Sequence, residues 1–278
     1  MTPSVFVMGA GRAGRALAHA MRVAGVSVVG LHGRRPGVDS TFGAFPESLA
    51  TATAILVTVR DEELDAALLE LSRASLAPKA VVLHASGSAE PAALDALREQ
   101  GHPGGTFHPI LPLADPTRAA HALRSAWIGI DGDAAARAAS RELAAALGAR
   151  VLEIPAGAKA RYHAATVFAS NFPVVLLSLA TRLLTASGVD AEAARGSLAS
   201  LIGASADNLR ESEPAMALTG PVSRGDVDTV RAHVAALAPF PELLAIYRAL
   251  TREALPLAMA RGVEPARVDA LRRAVDES

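Results

Sequence analysis

The chain has 278 residues, a formal net charge of -1, no cysteine and 51% hydrophobic residues, of which few are aromatic. This composition is typical of a soluble globular protein with one large or two ordinary domains. A net charge near zero argues against nucleic acid or an anionic membrane as a partner, and a chain without cysteine has no disulfide or thiolate metal site. We therefore expect a cytoplasmic protein that binds a small molecule and that has no nucleic-acid, membrane or metal partner.

The N-terminal half alternates strand and helix patterns. Short apolar runs typical of strands lie at 4–8, 26–31, 54–59, 80–84, 105–108, 126–130 and 150–154, with helix patterns between them, among them 12–24 and 134–147. Alternation of this kind predicts an α/β fold, a doubly wound parallel sheet with helices on both faces.

The pattern changes after residue 157, where no convincing strand follows. Long helices are predicted at 158–187, 190–213, 226–237 and 241–260. We therefore expect a nucleotide-binding domain over 1–155 and an all-helical substrate and dimerisation domain over 156–278. The most apolar run, 172–180, is too short for a membrane span and is predicted to be a buried helix.

A glycine-rich turn joins the first predicted strand to the first predicted helix. Gly9, Gly11 and Gly14 form the pattern G-x-G-x-x-G, with Arg12 and Ala13 between the last two glycines. In this context the glycines permit a tight turn and a close approach to a pyrophosphate, and the helix N-terminus attracts the anion. The turn therefore predicts a dinucleotide site.

The end of the second strand predicts which dinucleotide binds. An NAD site usually carries an acidic residue there, but this chain has Arg34 and Arg35 and no acid before Asp39. Two adjacent arginines can hold a 2′-phosphate, and Arg12 could assist from the glycine turn. We therefore predict NADP as the cofactor; the alternative is a solvated loop with ordinary arginines.

Candidate substrate residues follow the fourth and fifth strands, because ligands of open parallel sheets bind at the carboxyl ends of the strands. Ser86 and Ser88 could offer hydroxyl and backbone N–H groups to a carboxylate, although a helix N-cap explains Ser88 equally well. His108 ends the fifth strand and is either an imidazole near the nicotinamide or a packed loop residue.

A polar stripe is predicted on the first helix of the second domain. Lys159, His163, Thr166 and Ser170 share one face of this otherwise apolar helix. The chain has only one other lysine, Lys79, among 27 basic residues, so a lysine in an interior position calls for a specific reason. Burial can lower the pKa of a lysine until it can protonate a carbonyl that is being reduced. The alternative is a structural lysine bonded to a backbone carbonyl.

The loop at 220–226 holds a further candidate. A Gly-Pro turn with Asp226 as the N-cap of the next helix explains most of this segment. Arg224 is not needed for that turn, and it could clamp a substrate carboxylate with two hydrogen bonds or be an ordinary surface arginine.

These features together resemble a known superfamily. A glycine-turn domain followed by a helical domain that begins with a glycine-led lysine resembles the β-hydroxyacid and 6-phosphogluconate dehydrogenases, whose helix reads G-x-x-x-K-x-x-x-N. Lys159 stands at the position of the general acid or base in that motif, and His163 stands at the asparagine position. The resemblance therefore implies a catalytic Lys159 and leaves the role of His163 open.

A closer resemblance is to the Rossmann-like proteins that carry a domain of unknown function numbered 2520. It rests on the segments 84–88, 107–109, 159–165 with Asn171, and 219–226. These proteins are similar to ketopantoate reductases and to F420-dependent NADP oxidoreductases. The resemblance implies an NADPH-dependent reductase of a small oxo carboxylic acid, with ketopantoate as the best single guess.

In this reading Lys159 protonates the nascent alkoxide, His163 and His108 are the next proton donors, and Ser86, Ser88, Ser170, Asn171 and Arg224 bind substrate. A reductase of pyrroline-5-carboxylate-type imines and a non-enzymatic NADP-binding regulatory protein are the alternatives. Apolar residues such as Leu198, Leu201 and Leu209, beside small residues that allow close helix approach, also predict a homodimer formed by the helical domains.

Overall fold

The computed structural model describes residues 3–113 and 116–276 and contains a seven-stranded sheet. The strands are β1 (Val5–Met8), β2 (Val28–His32), β3 (Ala54–Val57), β4 (Val81–His84), β5 (Gly104–Pro109), β6 (Trp127–Gly132) and β7 (Arg150–Glu153). Their order across the sheet is β2-β1-β3-β4-β5-β6-β7. All seven predicted strands are present, and their bounds agree to within a few residues.

Helices cover both faces of the sheet. Those of the first half are α1 (Arg12–Val23), α2 (Leu64–Ser72), α3 (Asp95–Glu99), α4 (Pro116–Leu123) and α5 (Ala134–Ala146). All four residues of β1 are buried, and they alternate between two cores: Val5 and Val7 pack with α1 and α5, whereas Phe6 and Met8 pack with α2 and α3. This alternation follows from the two-residue period of a strand, and it confirms the doubly wound fold.

The sheet is not wholly parallel, which corrects the sequence prediction. β6 pairs antiparallel with β5, with His108 opposite Gly129, and β7 runs parallel to β6. The chain leaves β5 at Pro109, forms α4, and starts β6 beside that same end of β5, so the return strand must run the other way. Strand patterns predict where strands lie but carry no information about their direction.

The order of the strands creates a crevice at the edge where the parallel strands end. β1 lies between β2 and β3, so successive connections leave β1 in opposite directions. In open α/β sheets such a switch point is where ligands bind. Gly9, Gly33, Thr58 and Ala85 each follow one of the parallel strands and therefore meet at this edge.

The second half of the chain is helical, as predicted. Its helices are α6 (Lys159–Ala186), α7 (Ala191–Glu211), α8 (Pro214–Ala217), α9 (Val227–Leu237), α10 (Pro241–Ala260) and α11 (Pro265–Asp276). The side chain of Asp226 accepts a hydrogen bond from the backbone N–H of Thr229, so the predicted N-cap of α9 is confirmed. The apolar core of this part comes from α9, α10 and α11, with Val222 added from the preceding turn.

The chain divides into two compact units after Ser170, whereas the sequence places the boundary after Pro155. The difference arises because the first turns of α6 carry side chains that pack with the sheet, among them Lys159 and Tyr162. The division between the compact units thus falls within α6, where composition gives no signal, and the predicted domain boundary stays a prediction.

The prediction that residues 172–180 form a buried helix is wrong for the single chain. Lys159 is the only buried residue of α6, and Phe168 and Val174 are 69% and 67% exposed. The buried core of the second unit includes no residue of α6, and much of the apolar surface of this helix is exposed. Within the described residues, α6 is also the one helix whose length and composition would suffice for a membrane crossing, with a mean hydropathy of 1.6, although a single such helix is weak evidence. The expected absence of a membrane partner stays a prediction.

Candidate active site

The glycine turn after β1 has the geometry that a dinucleotide needs. Gly9 adopts a φ of +117°, and a Cβ at Gly14 would lie only 1.8 Å from the carbonyl oxygen of Gly9. By contrast, in the described part of the chain no atom outside the immediate neighbours of Gly11 lies within 4 Å of the place where its Cβ would be. Gly9 and Gly14 are therefore required by the turn itself, whereas Gly11 leaves open space in front of the N-terminus of α1.

That open space is a cavity of about 520 Å³. Its lining includes the predicted cofactor residues Gly9, Gly11, Arg12, Arg34 and Arg35, and Ala13 lines a second cavity that shares Gly11 and Arg12. The first turn of α1 has no acidic side chain and no side-chain cap, so its backbone N–H groups are available to an anion. The residues present fit a dinucleotide.

The end of β2 lacks a group for the hydroxyls of an NAD ribose. His32 is buried against the rings of Phe6 and Phe45, and its Nδ1 lies 2.9 Å from the hydroxyl of Thr41. Burial lowers the pKa of His32. This side chain faces the core, so the polar groups that follow β2 at the cavity are Arg34 and Arg35.

An acidic residue not identified from the sequence occupies the same cavity. The carboxylate of Glu63 pairs with both Arg34 and Arg60, the latter at 2.5 Å. Arg60 holds the pKa of Glu63 below its usual range. The acidic run immediately after the third strand, Asp61 to Glu63, was the available signal. Arg34 is therefore paired with a carboxylate that competes with a phosphate.

Arg15 is a second cavity residue that the sequence analysis missed. Its Nε donates a hydrogen bond of 2.9 Å to the carbonyl of Ala10, and its Nη1 donates one of 2.5 Å to the carbonyl of Val38. Arg15 thereby ties the loop that follows β2 to the glycine turn. Its position one turn after Arg12 on α1 was the signal for this role.

The serine loop after β4, Ser86-Gly87-Ser88, is held by its own side chains. The hydroxyl oxygen of Ser86 accepts hydrogen bonds from the backbone N–H groups of Ser88 and Ala89. The hydroxyl of Ser88 donates to a carboxylate oxygen of Asp61 at 2.6 Å. A short 3-10 helix starts only at Pro91, so the alternative in which Ser88 is an N-cap is wrong.

Lys159 lies directly behind the serine loop and is fully enclosed, with no exposed surface. Its Nζ donates a hydrogen bond of 3.2 Å to the carbonyl of Ser86, and its backbone N–H donates to Glu90. Burial lowers the pKa of Lys159 to about 8, although the carboxylates of Asp131, Glu90 and Asp61 act in the opposite direction. The pKa of Lys159 is thus close to the range in which a lysine can donate a proton near neutral pH. The side chain also makes the contact with a backbone carbonyl that is expected of a structural lysine.

The two predicted histidines stand beside this loop. A Cβ at Gly87 would lie 2.8 Å from Cδ2 of His163 and 2.9 Å from Nε2 of His108, so both rings border the loop. Nδ1 of His108 lies 2.5 Å from the hydroxyl of Tyr162, a residue that the sequence analysis did not single out. Burial, with the charge of Lys159 second, lowers the pKa of His108 to about 4. The imidazole is therefore neutral at pH 7.

His84 is a further histidine of this region and is fully buried. Its Nε2 lies 3.4 Å from the hydroxyl of Thr106, and its Nδ1 meets no partner within hydrogen-bond distance among residues 3–113 and 116–276. Burial lowers the pKa of His84 to about 4, so this ring is also neutral at pH 7.

The structure therefore brings five of the predicted site residues together at the carboxyl ends of the strands, namely Lys159, His163, His108, Ser86 and Ser88. The other three predicted substrate residues are Ser170, Asn171 and Arg224. Ser170 is exposed on α6, and its hydroxyl donates to the carbonyl of Thr166 in the preceding turn. Asn171 and Arg224 belong to the second unit, and their proposed contact with substrate stays a prediction.

Comparison with known proteins gives a family match over residues 126–254, to the family described as Domain of unknown function (DUF2520). The predicted resemblance to the proteins that carry this domain is confirmed. The DUF2520 match begins near the start of β6 and ends within α10, so it spans parts of both units. No curated protein sequence matches the chain significantly.

Several solved structures are similar over nearly the whole chain. A Thermotoga maritima protein has a TM-score of 0.73 and 22% identity over 92% of this chain and 99% of its own. A Bacteroides fragilis protein, whose name assigns it provisionally to the NADP oxidoreductases, has a TM-score of 0.68 and 24% identity over 90% and 97%. The Plasmodium falciparum pyrroline carboxylate reductase, solved with NADP bound, has a TM-score of 0.62 and 11% identity over 98% of both chains. At these identities the likeness establishes a Rossmann-like fold with a helical C-terminal part.

Proposed function

We propose that the protein is an NADP-dependent oxidoreductase. The observation that carries this proposal is the cavity in front of Gly11, where a bare turn, an uncapped helix N-terminus and Arg34 and Arg35 converge. These groups suit a pyrophosphate and a 2′-phosphate, respectively. When bound there, NADPH supplies the hydride for the reduction of a carbonyl group. The solved structures named above, which include one with NADP bound, support the same cofactor.

We propose Lys159 as the group that delivers the proton to the carbonyl oxygen. Its bond to Ser86 uses one of the three ammonium protons, so two are left for a substrate oxygen. A pKa of about 8 allows the amine to release a proton and to regain it from water near neutral pH. Access to Nζ requires that a substrate displace the serine loop or its hydrogen bond, since Lys159 is enclosed.

The substrate we propose is a small oxo carboxylic acid, with ketopantoate as the first compound to test. Beside the ring edges of His108 and His163, the hydroxyl of Ser86 is the donor that the serine loop offers to a carboxylate, because the hydroxyl of Ser88 already donates to Asp61. A pyrroline-5-carboxylate-type imine is the second candidate. One observation favours that imine: Lys159 is enclosed, and protonation by a lysine matters less for an imine nitrogen than for a carbonyl oxygen. The similar structure of a pyrroline carboxylate reductase supports the same candidate.

The test is oxidation of NADPH, followed at the nicotinamide absorbance, with ketopantoate, other small oxo acids and pyrroline-5-carboxylate as probes. Lys159→Ala should lower kcat with an oxo acid by about a hundredfold and leave NADPH affinity nearly unchanged. Lys159→Arg should restore little, because a guanidinium does not release its proton near neutral pH. No turnover with any probe, together with tight NADPH binding, would instead indicate a regulatory protein that binds the nucleotide.

We also propose that the helical part forms a homodimer. The exposed apolar side chains include Phe168 and Val174 of α6, and Leu201 of α7 is 62% exposed. A surface of this kind on a single chain usually marks an interface. Light scattering across micromolar concentrations should give twice the chain mass. A monomer with full activity would contradict the proposal, and association only with detergent or lipid would favour a membrane instead.

A further inference from the structure

Tyr162 and His108 form a pair at the edge of the candidate active site. The phenol oxygen lies 2.5 Å from Nδ1 of His108, and the rings meet edge to face with centroids 5.6 Å apart. The pair connects α6 to the end of β5, which is why no local sequence pattern reveals it. The other ring nitrogen of His108, Nε2, borders Gly87 in the serine loop.

Two glycines make room for this pair. A Cβ at Gly129 on β6 would lie 2.4 Å from the Tyr162 hydroxyl oxygen, and a Cβ at Gly87 would lie 2.9 Å from Nε2 of His108. Any larger residue at either position would push one of the rings away from its partner. The contact therefore depends on two recesses in separate strands or loops and is not a chance meeting of surface side chains.

The direction of the hydrogen bond follows from the chemistry of the two groups. A phenol is a stronger acid than a neutral imidazole N–H, and an imidazole nitrogen accepts more strongly than a phenol oxygen. Burial raises the pKa of the Tyr162 hydroxyl, so it keeps its proton. Tyr162 consequently donates to Nδ1, and the single proton of the neutral ring is placed on Nε2.

We propose that Tyr162 is a positioning residue that fixes His108 in the Nε2–H tautomer, so that His108 donates a neutral hydrogen bond to the substrate oxygen at the serine loop. Lys159 delivers the proton in the proposed reaction, whereas His108 only polarises the carbonyl and keeps its own proton. The kinetic part rests on the proposed function. The tautomer is a property of the free protein and does not depend on it.

The tautomer is measured first, without substrate or cofactor. The chain has eight histidines, so selective ¹⁵N labelling of histidine gives a small set of ring signals, and His108→Gln identifies those of His108. Long-range proton–nitrogen correlations distinguish the two tautomers. We expect a single Nε2–H form in the wild type, and Tyr162→Phe should shift the Nδ1 signal and admit the second form. Gly129→Ala, which keeps the phenol but displaces it, should have the same effect.

The chain provides a matched control for this substitution. Its only other tyrosine, Tyr247, also pairs with a histidine, His233, at 3.0 Å with rings edge to face. Tyr247→Phe removes the same hydroxyl from the same kind of pair in the second unit. It should leave the ring signals of His108 and the turnover of NADPH unchanged.

Kinetics with an oxo acid that the wild type reduces then test the role. Tyr162→Phe should lower kcat about tenfold without changing the KM for NADPH, less than the loss of the whole hydrogen-bond donor, because the imidazole remains. His108→Gln retains an amide N–H near the Nε2 position, so Tyr162→Phe should have no further effect in that background. His108→Leu, which has no hydrogen-bond donor, should lower kcat about a hundredfold.

An Nδ1–H form of His108 in the wild type would overturn the proposal, and this spectrum does not require any variant to fold. A wild-type Nε2–H form that Tyr162→Phe leaves unaltered would also overturn it. Equal losses from Tyr162→Phe in the wild-type and His108→Gln backgrounds would reject the coupling. If no probe is reduced, the proposed function fails while the spectra still decide the tautomer.

Discussion

The enclosure of Lys159 predicts an unusual dependence of stability on pH. Its pKa is lowered from the ordinary value of 10.5 to about 8 because burial disfavours the ammonium form. At about 1.4 kcal/mol for each pH unit, the charged lysine opposes folding by about 3 kcal/mol. This penalty is fully present below pH 8, where the lysine is charged in both states. It disappears as the pH rises to 10.5, because over that interval the unfolded chain holds a proton that the folded protein has lost.

Lys159→Met removes this penalty while it roughly preserves the length of the side chain. At pH 7 the variant regains about 3 kcal/mol but leaves the carbonyl of Ser86 without its donor, which costs about 1–3 kcal/mol. We therefore expect Lys159→Met to be as stable as the wild type or up to about 2 kcal/mol more stable, and to be nearly inactive. A lysine retained for structure would instead make the variant clearly less stable at pH 7.

Urea unfolding at pH 7 and at pH 10.5 measures the difference in stability between the two proteins and its change with pH. The wild type should gain about 3 kcal/mol relative to Lys159→Met between these two pH values. Lys79→Met is the control, since Lys79 is the only other lysine and is exposed. This variant shows how the loss of an exposed lysine affects the free energy of unfolding at the same two pH values. Parallel pH curves for the wild type and Lys159→Met would refute the reasoning.

Three further predictions concern the nucleotide cavity, with affinities measured by titration calorimetry. NADPH should bind at least about tenfold more tightly than NADH, a difference of about 1.4 kcal/mol, and replacement of Arg34 and Arg35 by alanine should remove it; equal affinities in the wild type would contradict this. Glu63→Gln removes the negative charge that competes with a phosphate for Arg34. It should therefore tighten NADPH binding several-fold and leave the affinity for NADH unchanged. Gly11→Ala should weaken both nucleotides without loss of stability, whereas Gly14→Ala should lower the thermal midpoint, because its Cβ would overlap the carbonyl of Gly9.

The glycine turn and the paired arginines could be predicted from the sequence because each depends on a short, local pattern. Gly9 to Gly14 specify a turn whose geometry needs glycine, and the residues that end β2 are read directly from the chain. Lys159 was identifiable because a lysine is rare in this arginine-rich chain and falls on a polar stripe. In each case the information lies within a few turns of the residue concerned.

The features that the sequence did not predict depend on contacts between distant segments. Tyr162 meets His108 across 54 residues, and Ser88 meets Asp61 across 27, so neither pairing follows from a local pattern. The direction of β6 depends on the connection through α4, which brings the chain back to the same end of β5. The exposure of α6 was not predicted because an apolar sequence shows that a helix tends to be buried. It does not show whether the same chain or another molecule packs against that helix.

The two lysines also give the protein an internal reporter of its own opening. Lys79 is exposed and reacts with an amine-modifying reagent without any opening of the structure. Lys159 is enclosed and can react only when the serine loop or the start of α6 moves away. The ratio of the two modification rates, read by mass spectrometry from one sample, then measures how often this part of the molecule opens. Because no other lysine is present, the measurement needs no labelled residue or substitution to be introduced.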